Sequence, residues 1–511
     1  MLNKLFHKLS KDDVRKTNEY DMELSTDLNT TVQSLKNIFG ESDDIIQYDF
    51  KIGNTIDAVV FFIDGLTNRK ELDEFVIKPL QHRLSEDDIS GLHGAGFLDK
   101  LLQETIHFTE IEVKDNFDEA VLPFMSGESL LFIQGLEKLI VIGSRQYNME
   151  RSVEEPESEI VVRGPRDGFT ESLQTNVLLI RRRVRDPNLT VQLGQLGRRS
   201  KSDFALLYLK GVVNDALVEE VRYRISCVDV DNIPESGTVE QLIEDNVLSP
   251  FPQILQTERP DKTASALQNG QVIIILDGTP FSLLTPITLE QLFKSSEDYY
   301  DRWQIGTLIR VLRYIAGFIA LFLPALYISM VSFHQGMIPT TLALSIAGGR
   351  EGVPFPSYIE AFLMEFTLEM LREAGIRLPR AVGSTIGIVG GLVIGDAAVR
   401  AGIVNPIMVI VVALTAISSF AIPAYNVSIA LRMLRFFLMI AAATFGLFGV
   451  IVGYIMINIH LVGLRSFGSY YTSPFAPYRL FDLLDTVIRV PLTINHLRND
   501  STHSKDSEKK G

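Results

Sequence analysis

Long runs without charge dominate the second half of the sequence. His334 is the only basic or acidic residue between Tyr314 and Gly349. In the hydrocarbon core of a bilayer, only helices and closed barrels satisfy all their backbone polar groups, so runs of this length predict membrane-spanning helices. Up to about residue 300, the chain is charged and typical of a soluble protein. We therefore predict a soluble N-terminal region followed by an all-α transmembrane helix bundle.

Charge and cysteine content narrow the class of protein. The formal net charge of −15 comes mainly from the N-terminal region, which argues against a nucleic-acid-binding surface. One cysteine, Cys227, excludes an internal disulfide framework and fits a reducing compartment. The basic, amphipathic stretch 1–16 lacks the continuous apolar core of a signal peptide. We expect the N-terminal region to lie on the cytosolic side.

The N-terminal region contains two similar patterns, which predict an α/β fold of two related subdomains. Val59–Leu80 and Phe204–Ile225 each read as an apolar strand, a glycine turn and an amphipathic helix. About 70 residues after each comes a hairpin pattern, in Leu130–Gly143 and Val272–Pro286. The predicted segments are a charged extension 1–40, α/β subdomains 41–155 and 156–295, a transmembrane domain 303–465, a C-terminal segment 466–498 and a disordered tail 499–511.

Nothing in the N-terminal region indicates catalysis. The turn glycines at 65, 135, 211 and 278 lack the spacing of a phosphate-binding loop, so we interpret them as residues with positive φ. The histidines lack the spacing of a metal site, and no nucleophile elbow is present. We expect no enzyme activity, cofactor or metal. The arginine run 181–185 leaves two interpretations open, contact with anionic lipid or a solvated helix end.

The hydrophobic half predicts four to six membrane segments. Four spans are clear and one shorter segment, 336–349, is ambiguous. The clear spans are Gly306–Ser332, Gly383–Ala401, Val404–Tyr425 and Phe436–Leu464. Arginines before the first span favour a cytosolic N-terminal region. Two later arginine clusters, before the second and the last clear spans, leave the topology beyond residue 333 open.

An amphipathic helix is predicted for Ser357–Ala374, between these spans. On a helical wheel Glu365, Glu369 and Glu373 share one face with Arg372, and apolar residues occupy the other face. One interpretation is a helix lying flat at the membrane interface. The other is a polar face turned toward water inside a bundle, where rings of glutamate in an oligomer would favour cations.

The predicted span Gly383–Ala401 is rich in glycine. Its small-residue stripe of Gly383, Gly387 and Gly391 would allow close helix packing. Asp396 and Arg400, four residues apart near its end, are expected to pair. They are either functional groups within the membrane or a pair at its surface. These residues and the three glutamates are our candidates for pore or gating positions.

Several blocks of sequence resemble the A subunits of GerA-type spore germinant receptors. The resemblance extends roughly from residue 45 to 492, in the order of the family. The blocks are RGPRDGFTESLQTN (163–176), ERPDKTASALQNGQVIIILDGTPFSLLTP (258–286), SSEDYYDRW (295–303), GREGVPFPSYIEAFLMEFTLEMLREAGIRLPR (349–380), GSTIGIVGGLVIGDAAV (383–399) and TAISSFAIPAYN (415–426).

The resemblance implies a subunit of a nutrient sensor in the inner spore membrane. It implies partnership with a permease-like B subunit and a lipoprotein C subunit. It also implies a homo-oligomer that conducts monovalent cations and triggers germination, with the N-terminal region on the cytosolic, core side. A non-conducting scaffold for the B subunit is the alternative. Paralogues associated with the dipicolinate channel are similar over the membrane half.

Overall fold

The computed structural model describes residues 24–40, 42–82, 95–146, 154–377, 393–479, 482–491 and 504–506. An α/β half extends to about residue 300, and a helical half follows it. The predicted fold class is therefore confirmed.

The first α/β unit is an antiparallel sheet of five strands in the order β1-β2-β4-β5-β3. Its elements are α1 (Leu28–Phe39), β1 (Ile45–Ile52), β2 (Ile56–Ile63), the helical runs α2 (69–82) and α3 (95–105), β3 (Ile111–Lys114), α4 (Asp118–Met125), β4 (Ser129–Ile133) and β5 (Leu139–Ile142). Leu35 and Phe39 of α1 pack on this sheet. Helix α1, which lies within the predicted extension 1–40, therefore contributes to the core of this unit.

The second unit repeats this order of elements, and its strands lie in the equivalent order β6-β7-β9-β10-β8. The elements are α5 (Leu173–Arg183), β6 (Leu189–Leu196), β7 (Ser202–Leu209), α6 (Asp215–Ser226), α7 (Ser236–Ile243), β8 (Leu255–Thr257), α8 (Pro260–Gln268), β9 (Val272–Leu276) and β10 (Ser282–Thr285). The predicted hairpins are β4–β5 and β9–β10, which pair antiparallel. Both units thus have one topology.

The strands read as continuous apolar runs because helices cover both faces of each sheet. In β2, Val59 and Phe61 face the core that contains α1 and α4, whereas Val60 and Phe62 face the core that contains α2. The four predicted turn glycines have φ between 81° and 87°. A methyl group on any of them would meet no atom within 4 Å. Glycine is therefore needed at these turns for its left-handed backbone conformation and not because space is short.

Arg181 joins the two units. It is 1% exposed, and its Nε and Nη2 donate to Asp44 at 2.7 and 2.8 Å, with a further bond from Nη2 to Ser42. Arg183 of the same run pairs with Asp167. A bidentate guanidinium–carboxylate pair of this kind fixes orientation as well as distance. For Arg181, both interpretations of the arginine run are therefore wrong, because it contacts neither lipid nor solvent.

The helical half contains six α-helices among the described residues. They are α9 (Trp303–Ser332), α10 (Thr340–Arg350), α11 (Ser357–Arg377), α12 (Gly395–Arg400), α13 (Pro406–Phe420) and α14 (Tyr425–Gly463). Of these described helices, α9 and α14 are long and apolar enough to cross a membrane, with mean hydropathies of 2.1 and 2.3. The described residues thus contain two helices that are long and apolar enough to span a membrane, whereas the sequence predicts four clear spans.

Two predicted spans differ from the structure in length or extent. Helix α13 occupies only part of Val404–Tyr425, because the Asn405 side chain caps its first turn and the helix ends at Phe420, three residues before Pro423. Its 15 residues reach about 22 Å at 1.5 Å per residue. Most of the predicted span Gly383–Ala401 lies outside the described residues, which stop at 377 and resume at 393. Helix α12 covers its last part, Gly395–Arg400.

The last predicted span is a helical hairpin rather than one helix. Gly446 has φ 61° and ψ −141°, which divides α14 into limbs 425–445 and 447–463. A methyl group on Gly453 would lie 2.5 Å from Leu438 Cδ2. Along a straight helix these two residues would be about 22 Å apart, so the chain must reverse between them. The prediction of a single span over 436–464 is therefore wrong.

The hairpin fixes which helix ends lie together. Gly446 packs against Phe333 at the end of α9, whereas His460 Nε2 lies 2.8 Å from Ser249 Oγ of the second α/β unit. The segment after α14 also returns to that unit, where the Tyr471 hydroxyl donates to the Pro252 carbonyl. In the tail, the Lys505 amide donates to the Val212 carbonyl. We call the end of the bundle next to the α/β half the near end, and the end at Gly446 the far end.

Candidate functional site

A cluster of charged side chains joins α11 to the first limb of α14. Glu365 and Glu369 lie one turn apart on α11, so both face the same neighbour. Arg435 Nη2 lies 3.0 Å from Glu365 Oε2 and donates to Glu369 Oε1 at 3.2 Å. Arg432 donates to the other oxygen of Glu369 at 2.8 Å. We call these residues, together with Arg372, the α11–α14 cluster.

Burial makes this cluster energetically significant. The side chains of Glu365 and Arg435 are both 0% exposed. Arg372 adds a third guanidinium, 3.5 Å from Glu369 Oε1, and it also donates to the Ser419 hydroxyl. The cluster thus holds three arginines and two carboxylates. Buried charges require partners because the interior screens them poorly, so each carboxylate here is compensated by arginine.

Helix α11 turns its charged face inward. Its exposed apolar residues, Ile359, Leu363, Phe366 and Met370, recur every three or four positions along the opposite face. The helix packs against α9, α13 and α14, so it does not lie apart from the bundle as an interfacial helix would. In this single chain, the inward face meets arginines of the bundle.

The remaining predicted residues lie outside the cluster. Glu373 is exposed and pairs with Arg377 at 2.7 Å on its own helix. Asp396 and Arg400 form the expected pair at 2.8 Å, and both are more than half exposed. Gly383, Gly387 and Gly391 lie outside the described residues.

A second buried carboxylate lies on α11 at the far end. Glu360 is fully buried, its Oε2 accepts a hydrogen bond from the backbone N–H of Asn405 at 2.9 Å, and its Oε1 lies 3.2 Å from Arg350 Nη2. It thereby fixes the start of α13 to α11. At the same end, the hydroxyls of Ser332 and Ser357 are 2.6 Å apart, which joins the end of α9 to the start of α11.

A third cluster joins the α/β half, α9 and the C-terminal segment at the near end. Asp298 accepts from Arg310 at 3.1 Å and from Arg313 at 2.7 Å. Arg310 also donates to Asp485, 3.0 Å away. Burial alone would raise the pKa of Asp485, but Lys294 and Arg310 beside it hold that pKa below its usual range. Arg310 and Arg313, which favour a cytosolic N-terminal region in the sequence analysis, therefore also hold α9 to the α/β half and to the C-terminal segment.

Comparison with known proteins places the chain in a family. The model of the family described as "Bacillus/Clostridium GerA spore germination protein" matches residues 33–501. Spore germination protein GerLA of Bacillus cereus is 42% identical over 487 residues, which cover 95% of this chain and 98% of that protein. The chain belongs to the GerA family of spore germination proteins.

Other matches extend over the same regions. The uncharacterized membrane protein YfkQ of Bacillus subtilis (strain 168) is 38% identical over 96% of this chain and 94% of its own length. The crystal structure of the N-terminal domain of the A subunit of the Bacillus megaterium spore germinant receptor GerK3 is 32% identical. It covers 52% of this chain and 96% of that domain, with a TM-score of 0.41.

Sequence reasoning missed the partners of the glutamates in this GerA-family chain. The sequence pattern identifies Arg432 and Arg435 only as a positive cluster before a span, and it does not distinguish Glu360. One signal was present, since Arg432 and Arg435 lie three residues apart and so share a helix face, as Glu365 and Glu369 do four residues apart. Matching charge spacings on two helices indicate faces that can meet, although spacing alone does not pair the helices.

Proposed function

We propose that this chain is the A subunit of a nutrient-sensing spore germinant receptor, in which several copies form a cation channel in the inner spore membrane. Membership of the GerA family supports the receptor role. A permease-like B subunit and a lipoprotein C subunit are its expected partners. Conduction and oligomerisation are further steps of the proposal, and the α11–α14 cluster supports them.

The observation that carries the channel proposal is the buried Glu365–Arg435 pair. Ionisable residues among apolar membrane helices are costly, and they commonly mark ion pathways or moving parts. Glu369 contacts three arginines, so the cluster can exchange partners without leaving every charge unpaired. We propose that opening draws Glu365 and Glu369 away from α14 and toward a central path. Rings of these carboxylates would then favour monovalent cations.

Two other groups of residues stay candidates for the path. The glycine stripe of Gly383, Gly387 and Gly391 would let copies approach closely. Asp396 and Arg400 already pair at an exposed position, and Glu373 lies near the end of α11. The apolar face of α11 that includes Leu363 and Phe366 is exposed in the single chain and offers a surface to lipid or to a second copy.

Five described helical segments are the proposed crossings, within the predicted range of four to six. They are α9, α11, α13 and the two limbs of α14, the second of which runs from the far end to the near end. This returns the chain to the α/β half, where His460 and Tyr471 contact it. Arg372 and Arg432 meet near one carboxylate, so both later arginine clusters belong to the near end. Positive residues on that side favour a cytosolic, core-side α/β half.

Cysteine labelling tests this topology in intact cells. With Cys227→Ser as background, Gly336→Cys at the far end is expected to react with a membrane-impermeant maleimide. Tyr478→Cys at the near end is expected to react only after permeabilisation. Both positions are exposed. Equal labelling of the two variants before permeabilisation would contradict the topology.

Ion flux tests the channel proposal itself. Purified protein in liposomes is expected to release potassium, and the swap Glu365→Arg with Arg435→Glu should alter the rate while preserving the pair. The matched swap Arg198→Asp with Asp229→Arg reverses an exposed pair of the α/β half and is expected to leave the rate unchanged.

The scaffold alternative rests on the same cluster. Every carboxylate in it is compensated in this single chain, as a purely structural clamp would require. A scaffold predicts no flux from liposomes at any protein density, together with normal germination of spores that carry the Glu365/Arg435 swap. Flux that depends on the swap would contradict it.

A further inference from the structure

A cavity of about 350 Å³ lies between the α/β half and the near end of the helical bundle. Both halves line it, and six of the lining side chains are charged. The charged residues are Glu159, Arg259, Lys262, Arg313, Arg372 and Arg432. Five of these six are cationic, so the cavity presents a positive surface to whatever enters it.

Three of the five cations have carboxylate partners apart from the α11–α14 cluster. Lys262 pairs with Glu159 at 2.8 Å, and Arg259 pairs with Asp261 at 3.0 Å. Arg313 forms an ion pair with Asp298. Asp298 also pairs with Arg310, but Arg310 has a second carboxylate partner in Asp485. These contacts leave no excess of positive charge around the three side chains.

The other two cations, Arg372 and Arg432, are undercompensated. They share Glu369 with Arg435, whose other partner is Glu365. Among the described residues, three guanidinium groups therefore face two carboxylates, and the cluster lacks one negative charge. The side chains of Arg372 and Arg432 are only 12% and 11% exposed, so water screens this excess poorly. A single anionic group in the cavity would restore the balance.

The position of the cavity favours a membrane lipid as the source of that group. The cavity lies at the near end of the apolar helices, and Phe420, the last residue of α13, lines it. An exposed apolar stripe runs from Phe420 along α13 through Ile417, Leu414 and Ile410. A headgroup in the cavity would therefore have an apolar surface beside it for an acyl chain.

We propose that the cavity binds the phosphate group of an anionic membrane lipid through Arg372 and Arg432. Guanidinium groups match phosphate oxygens in charge and in geometry, and basic pockets between membrane helices at the cytosolic surface bind such headgroups. The inference requires that the helices enter a membrane, but it does not require conduction. The lipid would join the α/β half to α11 and α14 at the α11–α14 cluster.

Thermal unfolding of the purified full chain in nanodiscs tests the proposal. Discs with phosphatidylglycerol are expected to raise the midpoint above discs with phosphatidylcholine, and phosphatidylglycerol should bind about tenfold more tightly, as one extra charge-assisted interaction implies. Arg432→Gln should abolish this preference, yet keep the fold, because it leaves two arginines for two carboxylates. Arg377→Gln, which removes the same charge from an exposed pair, should retain the preference.

A second variant separates loss of binding from loss of structure. Ile160 lines the cavity and is 75% exposed, so Ile160→Trp can narrow the cavity without touching an ion pair. It is expected to weaken phosphatidylglycerol binding and to leave the midpoint in phosphatidylcholine unchanged. Equal midpoints in the two lipids for the unmodified chain would overturn the proposal. The full shift from soluble glycerol phosphate, in phosphatidylcholine discs, would overturn the lipid as the source.

Discussion

Removing one partner of the Glu365–Arg435 pair should destabilise the helical half strongly. In the variant Glu365→Met, Arg435 remains fully buried and keeps only the shared carboxylate Glu369. The excess of arginine over glutamate in the cluster then rises from one to two. Breaking a buried ion pair by removing one partner costs about 3–5 kcal/mol, so we expect a loss of this size in the free energy of unfolding.

Removing both partners should restore most of the stability. Replacing buried ion pairs by apolar residues of similar volume is often neutral or stabilising, because the charges no longer have to be desolvated. We therefore expect Glu365→Met with Arg435→Met to lie within about 1 kcal/mol of the unmodified chain. The resulting coupling energy between the two positions is several kcal/mol, well above the error of a double-mutant cycle.

The assay is thermal or denaturant unfolding of the purified chain in detergent, with both single variants and the double variant measured together. Glu373→Met and Arg377→Met form the control cycle, because that pair has the same chemistry on the same helix but is exposed. Exposed pairs contribute about 0–1 kcal/mol, so the control coupling should be small.

Two results would refute this reasoning. If Glu365→Met alone leaves stability unchanged, the carboxylate is not buried against Arg435 in the folded chain. If both single variants are destabilised and the double variant is destabilised by their sum, the two side chains contribute independently. The first result would return α11 to an interfacial position, with its carboxylates in water.

Further predictions concern the α/β half and the hairpin. Burial, together with the nearby charge of Glu244, raises the pKa of Glu240 from 4.5 to about 7. Between these two pH values the folded chain binds a proton that the unfolded chain has lost, so the free energy of unfolding falls as the pH rises through this range. Glu240→Gln should therefore raise the unfolding midpoint at pH 8 and leave it unchanged at pH 4. Arg181→Met leaves Asp44 buried without its guanidinium and should cost about 3–5 kcal/mol in denaturant unfolding, part of which Asp44→Asn recovers. Gly446→Ala should lower the free energy of unfolding by about 1–3 kcal/mol, measured by thermal unfolding. Alanine is strained at the positive φ of this position, and its methyl group would collide with Phe333.

Sequence reasoning worked for features that are encoded locally. The strands and turns of both units could be predicted because an apolar run, a glycine and an amphipathic helix follow one another within about 22 residues. Gly65 and Gly211 adopt the positive φ that this pattern requires. Helix α11 and the Asp396–Arg400 pair are local features of the same kind, since residues four apart meet on any helix.

The features that could not be predicted depend on distant residues or on backbone direction. Arg181 and Asp44 are 137 residues apart, and Arg435 and Glu369 are 66 apart, so no window of sequence contains either pair. Gly446 gives no local signal, because it lies within a continuous apolar run. A straight helix and a helical hairpin expose equally apolar surfaces there, and hydropathy does not distinguish them.

The hairpin gives the α/β half a continuous physical connection to the α11–α14 cluster. His460, near the end of the second limb, contacts Ser249 of the second α/β unit. The second limb packs against the first where Gly453 meets Leu438, one turn beyond Arg435. A displacement of the α/β half would therefore act on the limb that carries the arginines. Contact alone does not establish coupling, which requires an energy measured between two positions. A double-mutant cycle that combines Ser249→Ala and Arg435→Met measures the coupling energy between the two ends of this connection.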